Sequence, residues 1–364
     1  DRSGGRVAVY VYEDIPELDH SDLVECYQEN SRVAPWQDEQ ADMAQDMGEI
    51  WLHRSVLAHP WRVFDPEEAD IFFVPIYPIL SINRCRGLTH YNRMTTAVKY
   101  LIRSSLFFNR FGGADHVVIC AWWNCRTALD PTHRMLLRRT VVGINERLVG
   151  WTRWGCGSDR TLTVPYTASS VLTTSDKIGG LPASDRDITF FFVGTERSRQ
   201  ERTNLDVVMN ISETSLILLG GDEENWGMNS TEYAAHMSRS RFCFCPQGDT
   251  ESSRRIFDAL AAGCIPIVTE TGVAVLPFVE VGLNYSEFAV VVDEFAFSTR
   301  EAVQNVARDI LARSEEEWDK LRRGMKKGAR TILYGITRGP GLKDMRPFLD
   351  TATKFLQAVR VLFR

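Results

Sequence analysis

The sequence predicts an α/β protein built from two Rossmann-like halves, and three observations lead to this. Short apolar runs typical of buried strands alternate with helix-like segments, as in layered α/β proteins. A stretch rich in Ser, Thr, Gly and Pro, Thr167–Asp187, interrupts the alternation and is predicted to be a linker. The chain ends in a segment with one apolar stripe, which must pack on another element. We therefore expect an N-terminal domain at 1–166, a linker at 167–187, a second domain at 188–335 and a terminal segment at 336–364.

The strand-like runs of the first half are bounded by turn residues. The first run is closed by Asp14 and Pro16, and another follows the Gly112-Gly113 turn. A helix is predicted over Met94–Phe108 from the spacing of its apolar residues. The predicted strands are Val7–Tyr12, Ile71–Tyr77, Val117–Ala121 and Leu162–Val164.

The second half repeats the alternation. The predicted strands are Ile188–Val193, Ser215–Leu219, Arg241–Cys245, Ile265–Thr269 and Phe288–Val292. The predicted helices are Ser198–Met209, Thr231–Ser238, Ser253–Ala262, Thr299–Ala312 and Ser314–Lys327. Ser314 and Glu317 form a capping-box pattern. Apolar residues from Phe348 to Leu362 recur at helical spacing and predict one more amphipathic helix. Halves of this kind bind ligands at the carboxyl ends of their strands.

Charge and hydropathy exclude some classes of protein. The 364 residues carry a net charge of −6 and no long basic run, so nucleic acid is not an expected partner. No apolar run approaches the roughly 20 residues that a bilayer-spanning helix needs. The chain begins at Asp1 without an initiator Met, and we expect any membrane anchor to lie in a longer N-terminal form.

Cysteines and glycosylation sequons bear on the cellular compartment. The chain has 8 cysteines, whose spacings fix no pairing and match no zinc site. Cys243, Cys245 and Cys264 lie in apolar runs, where we expect small buried hydrophobic residues. Sequons favour a secretory compartment, and here they begin at Asn210, Asn229 and Asn284.

The stretch Phe242–Val268 gives the clearest sign of function. An apolar strand enters a Pro-Gln-Gly-Asp turn that contains Gly248, and a helix follows. Ser252 or Ser253 is predicted to cap this helix. The free N–H groups and partial positive charge of a helix N-terminus suit a phosphate group.

Two arginines in the first turn of this helix strengthen the phosphate interpretation. Arg254 and Arg255 would bring fixed charge and a planar donor fork to a diphosphate. Without an anion they are unfavourable there, because the helix dipole disfavours a cation in the first turn by about 0.3–1 kcal/mol. The alternative is a salt bridge to Asp249 or Glu251.

Asp258 lies one helical turn beyond these arginines. Its carboxylate would accept hydrogen bonds from the two ribose hydroxyls of a nucleotide. The alternative is an ordinary i,i+3 or i,i+4 partner for the arginines. Beside a phosphate-binding turn, both interpretations stay open.

A second segment with basic residues follows the strand that ends at Gly194. Glycine permits close approach of the backbone to a ligand. Arg197 or Arg202 would reach the same diphosphate from the opposite side. The alternative is a solvated charged helix face, with Glu196 and Glu201 as local partners.

A third segment presents Asp115 and His116 between a Gly-rich turn and a strand. At a cleft this pair would suit general base catalysis on a sugar hydroxyl, and the alternative is a structural histidine. An Asp-x-Asp motif between a strand and a turn would hold a divalent cation, but Asp185-Arg186-Asp187 precedes a strand instead. No metal site is predicted, because arginines and a helix dipole can replace the cation.

Together these motifs resemble the exostosin family of glycosyltransferases. The matching segments follow one another in the family's order, and they are Val9–Pro16, Asp65–Pro75, Gly113–His116 and Tyr233–Val268. Two positions differ from the family's usual pattern. Ala114 stands where the family has Arg, and Gln247 stands where it often has Arg.

The resemblance implies a GT-B fold, in which two facing Rossmann-like domains are joined by a final helix that returns to the N-terminal domain. It implies an inverting enzyme that moves a sugar from a UDP-sugar to a polysaccharide or glycoprotein glycan, with no essential metal or other cofactor. It also implies a type II membrane protein of the Golgi lumen. By the family pattern, Arg255 would bind the diphosphate, Asp258 the ribose, and Arg197 or Arg202 the other phosphate face.

Two other functions stay open on the sequence alone. A catalytically inactive partner subunit would have the same fold, and both a homodimer and a heterodimer are compatible with the sequence. A carbohydrate-binding protein that uses no nucleotide would stack exposed aromatic side chains on sugars. The candidate side chains for stacking are Trp122, Trp123, Trp151 and Trp154.

Overall fold

Two parallel sheets with covering helices form the protein, one in each half of the chain. The structure, a computed structural model, describes residues 5–25, 47–83, 89–122, 125–146, 160–173, 181–195, 200–220, 228–248, 250–337 and 345–363. The candidate residues Glu196, Arg197, Asp249, Trp123, Trp151 and Trp154 lie outside these ranges. No helix in the described part of the chain is long and apolar enough to cross a membrane.

The first sheet has six strands, which are β1 (Val9–Val11), β2 (Arg62–Val63), β3 (Ile71–Val74), β4 (His116–Ile119), β5 (Val141–Ile144) and β6 (Thr161–Thr163). They are ordered β2-β1-β3-β4-β5-β6, and neighbouring strands are parallel. Every residue of β3, β4 and β5 is buried, because helices cover both faces of the sheet. Their carboxyl ends therefore meet at one edge.

The helices of the first half are α1 (Gly48–Leu57), α2 (Pro78–Asn83), α3 (His90–Arg103), α4 (Leu106–Phe111), α5 (Cys125–Ala128) and α6 (Pro131–Leu136). The single helix predicted over Met94–Phe108 is wrong, since α3 and α4 are separate. Ser105 lies between them with an extended backbone, and its hydroxyl accepts a hydrogen bond from the Phe108 N–H. A serine that caps a new helix in this way ends the preceding one.

The second sheet has five strands, which are β7 (Ile188–Thr195), β8 (Leu216–Gly220), β9 (Ser240–Phe244), β10 (Ile265–Thr269) and β11 (Val290–Val292). They are ordered β11-β10-β9-β7-β8, and their pairings are parallel. A separate antiparallel pair joins β12 (Gly335–Thr337) to β13 (Met345–Pro347). All five strands of the second sheet were predicted, to within a few residues.

The helices that follow the first sheet are α7 (Ser170–Thr173), α8 (Ser230–Ser238), α9 (Arg255–Ala262), α10 (Glu270–Ala274), α11 (Arg300–Ala312), α12 (Glu315–Ile332) and α13 (Leu349–Val361). Residues Gln200–Asn210 form a 3₁₀ helix where a helix was predicted over Ser198–Met209. The capping box of Ser314 and Glu317 is confirmed at the start of α12. Around the predicted linker, Tyr166, Ala168 and Leu172 are buried in the core of the second half.

The final helix returns to the first half, as predicted. Phe355, Leu356 and Val359 of α13 lie in one core with Val9 of β1 and Leu52 of α1. This burial explains the apolar stripe at the end of the chain. Two parallel Rossmann-like sheets and a returning helix confirm the predicted GT-B fold class.

One expectation about the cysteines is wrong. Cys243 and Cys264 form a disulfide with a Cα–Cα distance of 5.8 Å, because β9 and the start of β10 are neighbours in the sheet. Cys245 is a buried free thiol, as expected of a small buried residue. Cys125 is also disulfide-bonded.

Candidate functional site

The turn after β9 and the start of α9 lie at the carboxyl edge of the second sheet. The helix begins at Arg255, and Arg254 is its N-cap with helical angles and no side-chain capping bond. The prediction that Ser252 or Ser253 caps the helix is therefore wrong. The Ser252 hydroxyl donates to Glu146 instead of accepting from the helix. The Ser253 hydroxyl is buried without a hydrogen-bond partner among the described residues.

The start of α9 is open on the side of the turn. The first hydrogen bonds inside the helix are donated by the N–H groups of Ile256 and Phe257. Within the described chain, no group accepts from the N–H of Ser253 or of Arg255. Free N–H groups and the positive end of a helix dipole attract an anion.

Arg255 connects this helix to the end of β7. Its Nη2 donates to the Val193 carbonyl at 2.8 Å, and its guanidinium lies 4.4 Å from the centre of the Phe192 ring. Gly194 makes room for it, because a Cβ there would lie 2.8 Å from the Arg255 Nη2. The Nε is buried and makes no hydrogen bond with the described chain. Arg255 thus holds a fixed positive charge, with donor capacity to spare, beside the open helix end.

Arg202 holds the turn in place. It donates to the Thr195 carbonyl at 3.1 Å and twice to the Gln247 carbonyl, at 3.3 Å and 3.0 Å. Gly248 then donates to the Ser252 carbonyl at 3.1 Å, and a Cβ on Gly248 would come within 2.8 Å of that oxygen. Arg202 is buried and joins β7 to the turn through these hydrogen bonds. The alternative given above, a solvated charged helix face, therefore does not describe Arg202.

Asp258 is not open to a ribose. Its side chain is buried, its Oδ1 accepts from the Ser169 N–H at 2.7 Å, and its Oδ2 accepts from the Tyr233 hydroxyl at 3.4 Å. Arg254 lies 3.6 Å from Oδ1, which is the i,i+4 pairing given above as the alternative. In this geometry Asp258 fastens the linker and α8 to α9.

His116 and Asp115 occupy a position that does not suit a general base. His116 opens β4, so it lies at the amino end of the strand and not at the ligand-binding edge. It is 0% exposed, with Nδ1 on Asp115 at 2.7 Å and Nε2 on the Tyr12 hydroxyl at 2.8 Å. Burial lowers the pKa of His116. Both ring nitrogens are occupied, and none is left for a substrate hydroxyl.

A buried carboxylate that the sequence analysis missed lies at the ligand-binding edge of the first sheet. Glu146 follows β5, is 1% exposed, and accepts at Oε1 from the Tyr166 hydroxyl at 3.0 Å and from the Ser252 hydroxyl at 2.9 Å. The second contact joins the first half to the turn before α9. Burial raises the pKa of Glu146 to about 7, and the negative charge of Glu251 adds to the rise.

Buried polar atoms without hydrogen-bond partners occur on both of the sequence segments that make this contact. Such atoms are uncommon in folded proteins, because each one costs about 1–3 kcal/mol. Within the described chain, such atoms next to Glu146 and Ser252 in sequence include Asn145 Nδ2 and Oδ1, Glu146 Oε2, Glu251 Oε2, Ser253 Oγ and Arg255 Nε. Thr167 Oγ1 is another, and Thr167 follows Tyr166, which donates to Glu146. Both halves of the chain contribute to this group. An unsatisfied set of donors and acceptors at a domain boundary is the mark of a ligand site.

A family model for the Exostosin GT47 domain matches residues 3–307. The chain belongs to the exostosin GT47 family. The family resemblance in the sequence is thereby confirmed.

Curated relatives of this GT47 chain include plant proteins. A probable xyloglucan galactosyltransferase of Arabidopsis thaliana is 29% identical over 241 residues, covering 61% of this chain and 52% of that protein. A probable glucuronosyltransferase of Oryza sativa subsp. japonica is 28% identical over 314 residues, covering 81% and 66%. A probable glucuronoxylan glucuronosyltransferase of Arabidopsis thaliana is 27% identical over 264 residues, covering 68% and 55%. The chain spans about half to two thirds of the length of these relatives.

Solved structures that resemble the GT47 chain are distant in sequence. A glycosyltransferase of Rickettsia africae is 9% identical, with a TM-score of 0.43 and coverage of 97% of this chain and 98% of that one. The Anabaena HepE protein in complex with UDP and glucose is 10% identical, with a TM-score of 0.39 and coverage of 90% and 95%. Likeness at this level carries no detail about the site.

The site of this GT47 chain therefore differs in part from the predicted one. The structure brings together Gly194, Arg202, Gly248, Ser252, Ser253, Arg255 and Asp258 around β7, β9 and α9. It leaves Asp115 and His116 at the opposite edge of the first sheet. The missed carboxylate had a signal, since Asn145-Glu146 directly follows the apolar run Val141–Ile144. No group of three or more His, Cys, Asp or Glu among the described residues could hold a metal ion.

Proposed function

We propose that this GT47 chain transfers a sugar, with inversion, from a UDP-sugar to a hydroxyl of a polysaccharide or glycoprotein glycan. The observation that carries the proposal is the open start of α9. It lies beside the Arg255 guanidinium and faces a buried carboxylate of the other half. The named activities of the plant relatives, a galactosyltransferase and glucuronosyltransferases, support the same class of reaction.

The leaving diphosphate is the part of the reaction that these residues suit best. Negative charge develops on it as the bond to the sugar breaks, and donors already aimed at that position stabilise the charge. The free N–H groups at Ser253 and Arg255, with the helix dipole and the guanidinium, would supply this without a metal ion. Arg202 contributes by fixing the turn, and Arg197 of the same segment would add a further cation.

Entry of the donor requires a movement at the domain boundary. The Ser252 hydroxyl lies 2.9 Å from Glu146, so there is no room for a phosphate between the two halves at this contact. In this contact the Ser252 hydroxyl donates to Glu146 Oε1, and phosphate oxygens can replace Glu146 as the acceptor. Domain separation of this kind is common in two-domain enzymes that close on their substrates.

A Golgi lumenal location for a type II membrane protein is part of the proposal. The disulfide between Cys243 and Cys264 supports an oxidising compartment, because such bonds are rare in the cytosol. The sequons at Asn210, Asn229 and Asn284 are consistent with the same route. The disulfide also encloses the turn and α9, so oxidation would stabilise the donor site itself.

The proposal is tested by offering the protein a panel of UDP-sugars with oligosaccharide acceptors and measuring the UDP released. Arg255→Ala should lower kcat/KM by about 100-fold or more, the loss seen when one donor to a developing charge is removed. Arg239→Ala is the matched control, because Arg239 forms an exposed salt bridge with Asp187 away from the site. Normal turnover by Arg255→Ala would sink the diphosphate assignment.

Calorimetric titration separates the proposal from its rivals. A partner subunit that has lost its donor site would give no heat with UDP. A carbohydrate-binding protein would bind glycans whether or not UDP is present. Among the described candidates for sugar stacking, Trp122 is half-buried against the core of the first half, which gives that rival little support.

A further inference from the structure

We propose that Glu146 is the general base that deprotonates the acceptor hydroxyl, and that the neighbouring Asn145 amide positions that hydroxyl. The inference rests on the proposed function and adds the residue that the sequence analysis could not identify. The inference is based on the position of the buried Glu146 carboxylate, which contacts the donor-site turn through Ser252. Its Oε1 accepts two hydrogen bonds, and its Oε2 has no partner within the described chain.

The two oxygens of Glu146 have different surroundings. Oε1 receives hydrogen bonds from the Tyr166 and Ser252 hydroxyls, which fix the plane of the carboxylate. Oε2 is buried and has no partner within the described chain. A carboxylate that served only to join the two halves would need no second oxygen kept out of water and unbonded. An oriented, unoccupied oxygen is what the proton of a substrate hydroxyl requires.

Asn145 adds a second, independent sign of a missing partner. Its side chain is 1% exposed, and neither Nδ2 nor Oδ1 makes a hydrogen bond with a described residue. An amide offers both a donor and an acceptor, which is the combination that recognises a sugar hydroxyl. Asn145 and Glu146 directly follow β5, so both lie at the ligand-binding edge of the first sheet.

Other buried acids and bases in the described chain are less suitable. The oxygens of Glu49 accept from the N–H groups of Ile79 and Leu80. Asp258 uses both of its oxygens, and His116 uses both of its nitrogens. Glu251 precedes α9 on the donor side, where the negative diphosphate would be its neighbour.

The titration of Glu146 fits the task. Burial raises the pKa of this carboxyl to about 7, hydrogen bonds from Ser252 and Tyr166 oppose the rise, and the charge of Glu251 adds to it. A base with a pKa near the working pH combines a large ionised fraction with good proton affinity.

In the proposed step, the acceptor hydroxyl gives its proton to Oε2 of Glu146, and its oxygen forms a bond to the anomeric carbon of the donor. The bond from that carbon to the diphosphate oxygen breaks, and UDP leaves with the electron pair. The carboxyl then loses the proton to water, which restores the base. Attack from the Glu146 side and departure on the α9 side place the two bonds on opposite faces of the sugar, so the configuration inverts.

The test compares Glu146→Gln with Glu213→Gln, an exposed change of the same kind in the turn before β8. Glu146→Gln should lower kcat by about 1000-fold, within the usual range for a general base, and leave the UDP dissociation constant within about twofold. The wild-type kcat should fall with decreasing pH below about pH 7. Glu146→Asp, which keeps the carboxyl but withdraws it, should retain this acidic limb at a lower kcat. Glu213→Gln should behave as the wild type.

Two results would overturn the inference. One is a Glu146→Gln variant that keeps more than about a tenth of the wild-type kcat, since a general base is worth at least about 100-fold. The other is a wild-type kcat that does not fall on the acidic side of pH 7. If the wild type binds UDP and transfers sugar in either case, the proposed function stands and only the base assignment fails. If the wild type neither binds UDP nor transfers sugar, both fail together.

Discussion

Replacing Glu146 with Gln should stabilise the protein at alkaline pH while it stops transfer. The ionised carboxylate is penalised in the folded state, because burial raises its pKa from 4.5 to about 7. The penalty is absent below about pH 4.5, grows between that pH and about 7, and is complete above 7. At about 1.4 kcal/mol per pKa unit, it reaches about 3 kcal/mol. Gln keeps an acceptor for Tyr166 and Ser252 but carries no charge, so it avoids this penalty.

Urea unfolding at two pH values measures this effect. At about pH 8.5, Glu146→Gln should have a free energy of unfolding about 3 kcal/mol above that of the wild type. At about pH 5 the difference should shrink to less than about 1 kcal/mol, because the wild-type carboxyl is then protonated in the folded state. The control Glu213→Gln should stay within about 0.5 kcal/mol of the wild type at both pH values. A stability difference that is the same at both pH values, or no gain at alkaline pH, would refute the argument.

Three further changes test neighbouring parts of the account. Asn145→Leu should leave the Tm unchanged or raise it, because the change removes two buried polar atoms that have no partners. The same change should lower kcat/KM for the acceptor. A clear loss of Tm with unchanged kinetics would contradict this expectation. Gly194→Ala should weaken UDP binding by about tenfold in calorimetry, which is about 1.4 kcal/mol. The reason is that the new Cβ would displace the Arg255 guanidinium. Unchanged affinity would show that UDP binding does not need the guanidinium in this position. Replacing both Cys243 and Cys264 with Ser should lower the free energy of unfolding in urea titrations by about 2–4 kcal/mol, and a curve identical to that of the wild type would oppose a structural role for this disulfide.

The donor side could be predicted from the sequence because its signals are local. The strand β9, the glycine turn and the helix α9 follow one another within a single stretch, and their arginines lie where an anion would stabilise them. Gly194 and Arg202 could be placed near them because they follow the carboxyl end of another strand predicted in the same half. The hydrogen bonds from Arg202 to the turn could not be predicted, because the acceptor, the Gln247 carbonyl, is 45 residues away in sequence.

The acceptor side could not be predicted because it depends on contacts between distant segments. Glu146 and Ser252 are 106 residues apart, and Ser169 and Asp258 are 89 apart. The sequence placed Asp115 and His116 just before a predicted strand, which is its amino end, and the ligand-binding edge lies at the carboxyl ends of the strands. β5 has only four residues, which are too few to show the alternating hydrophobic pattern of a strand. The carboxylate that follows it, Glu146, was therefore not predicted to lie at a strand end.

The most direct test of the central claim is a calorimetric titration of the wild type and of Arg255→Ala with UDP in metal-free buffer. The wild type should bind one UDP saturably, and the variant should bind at least about 100-fold more weakly, a difference of about 3 kcal/mol. The Arg239→Ala control should bind as the wild type does. Equal UDP affinity in wild type and Arg255→Ala, or no binding by either, would contradict the assignment of the donor site to the start of α9.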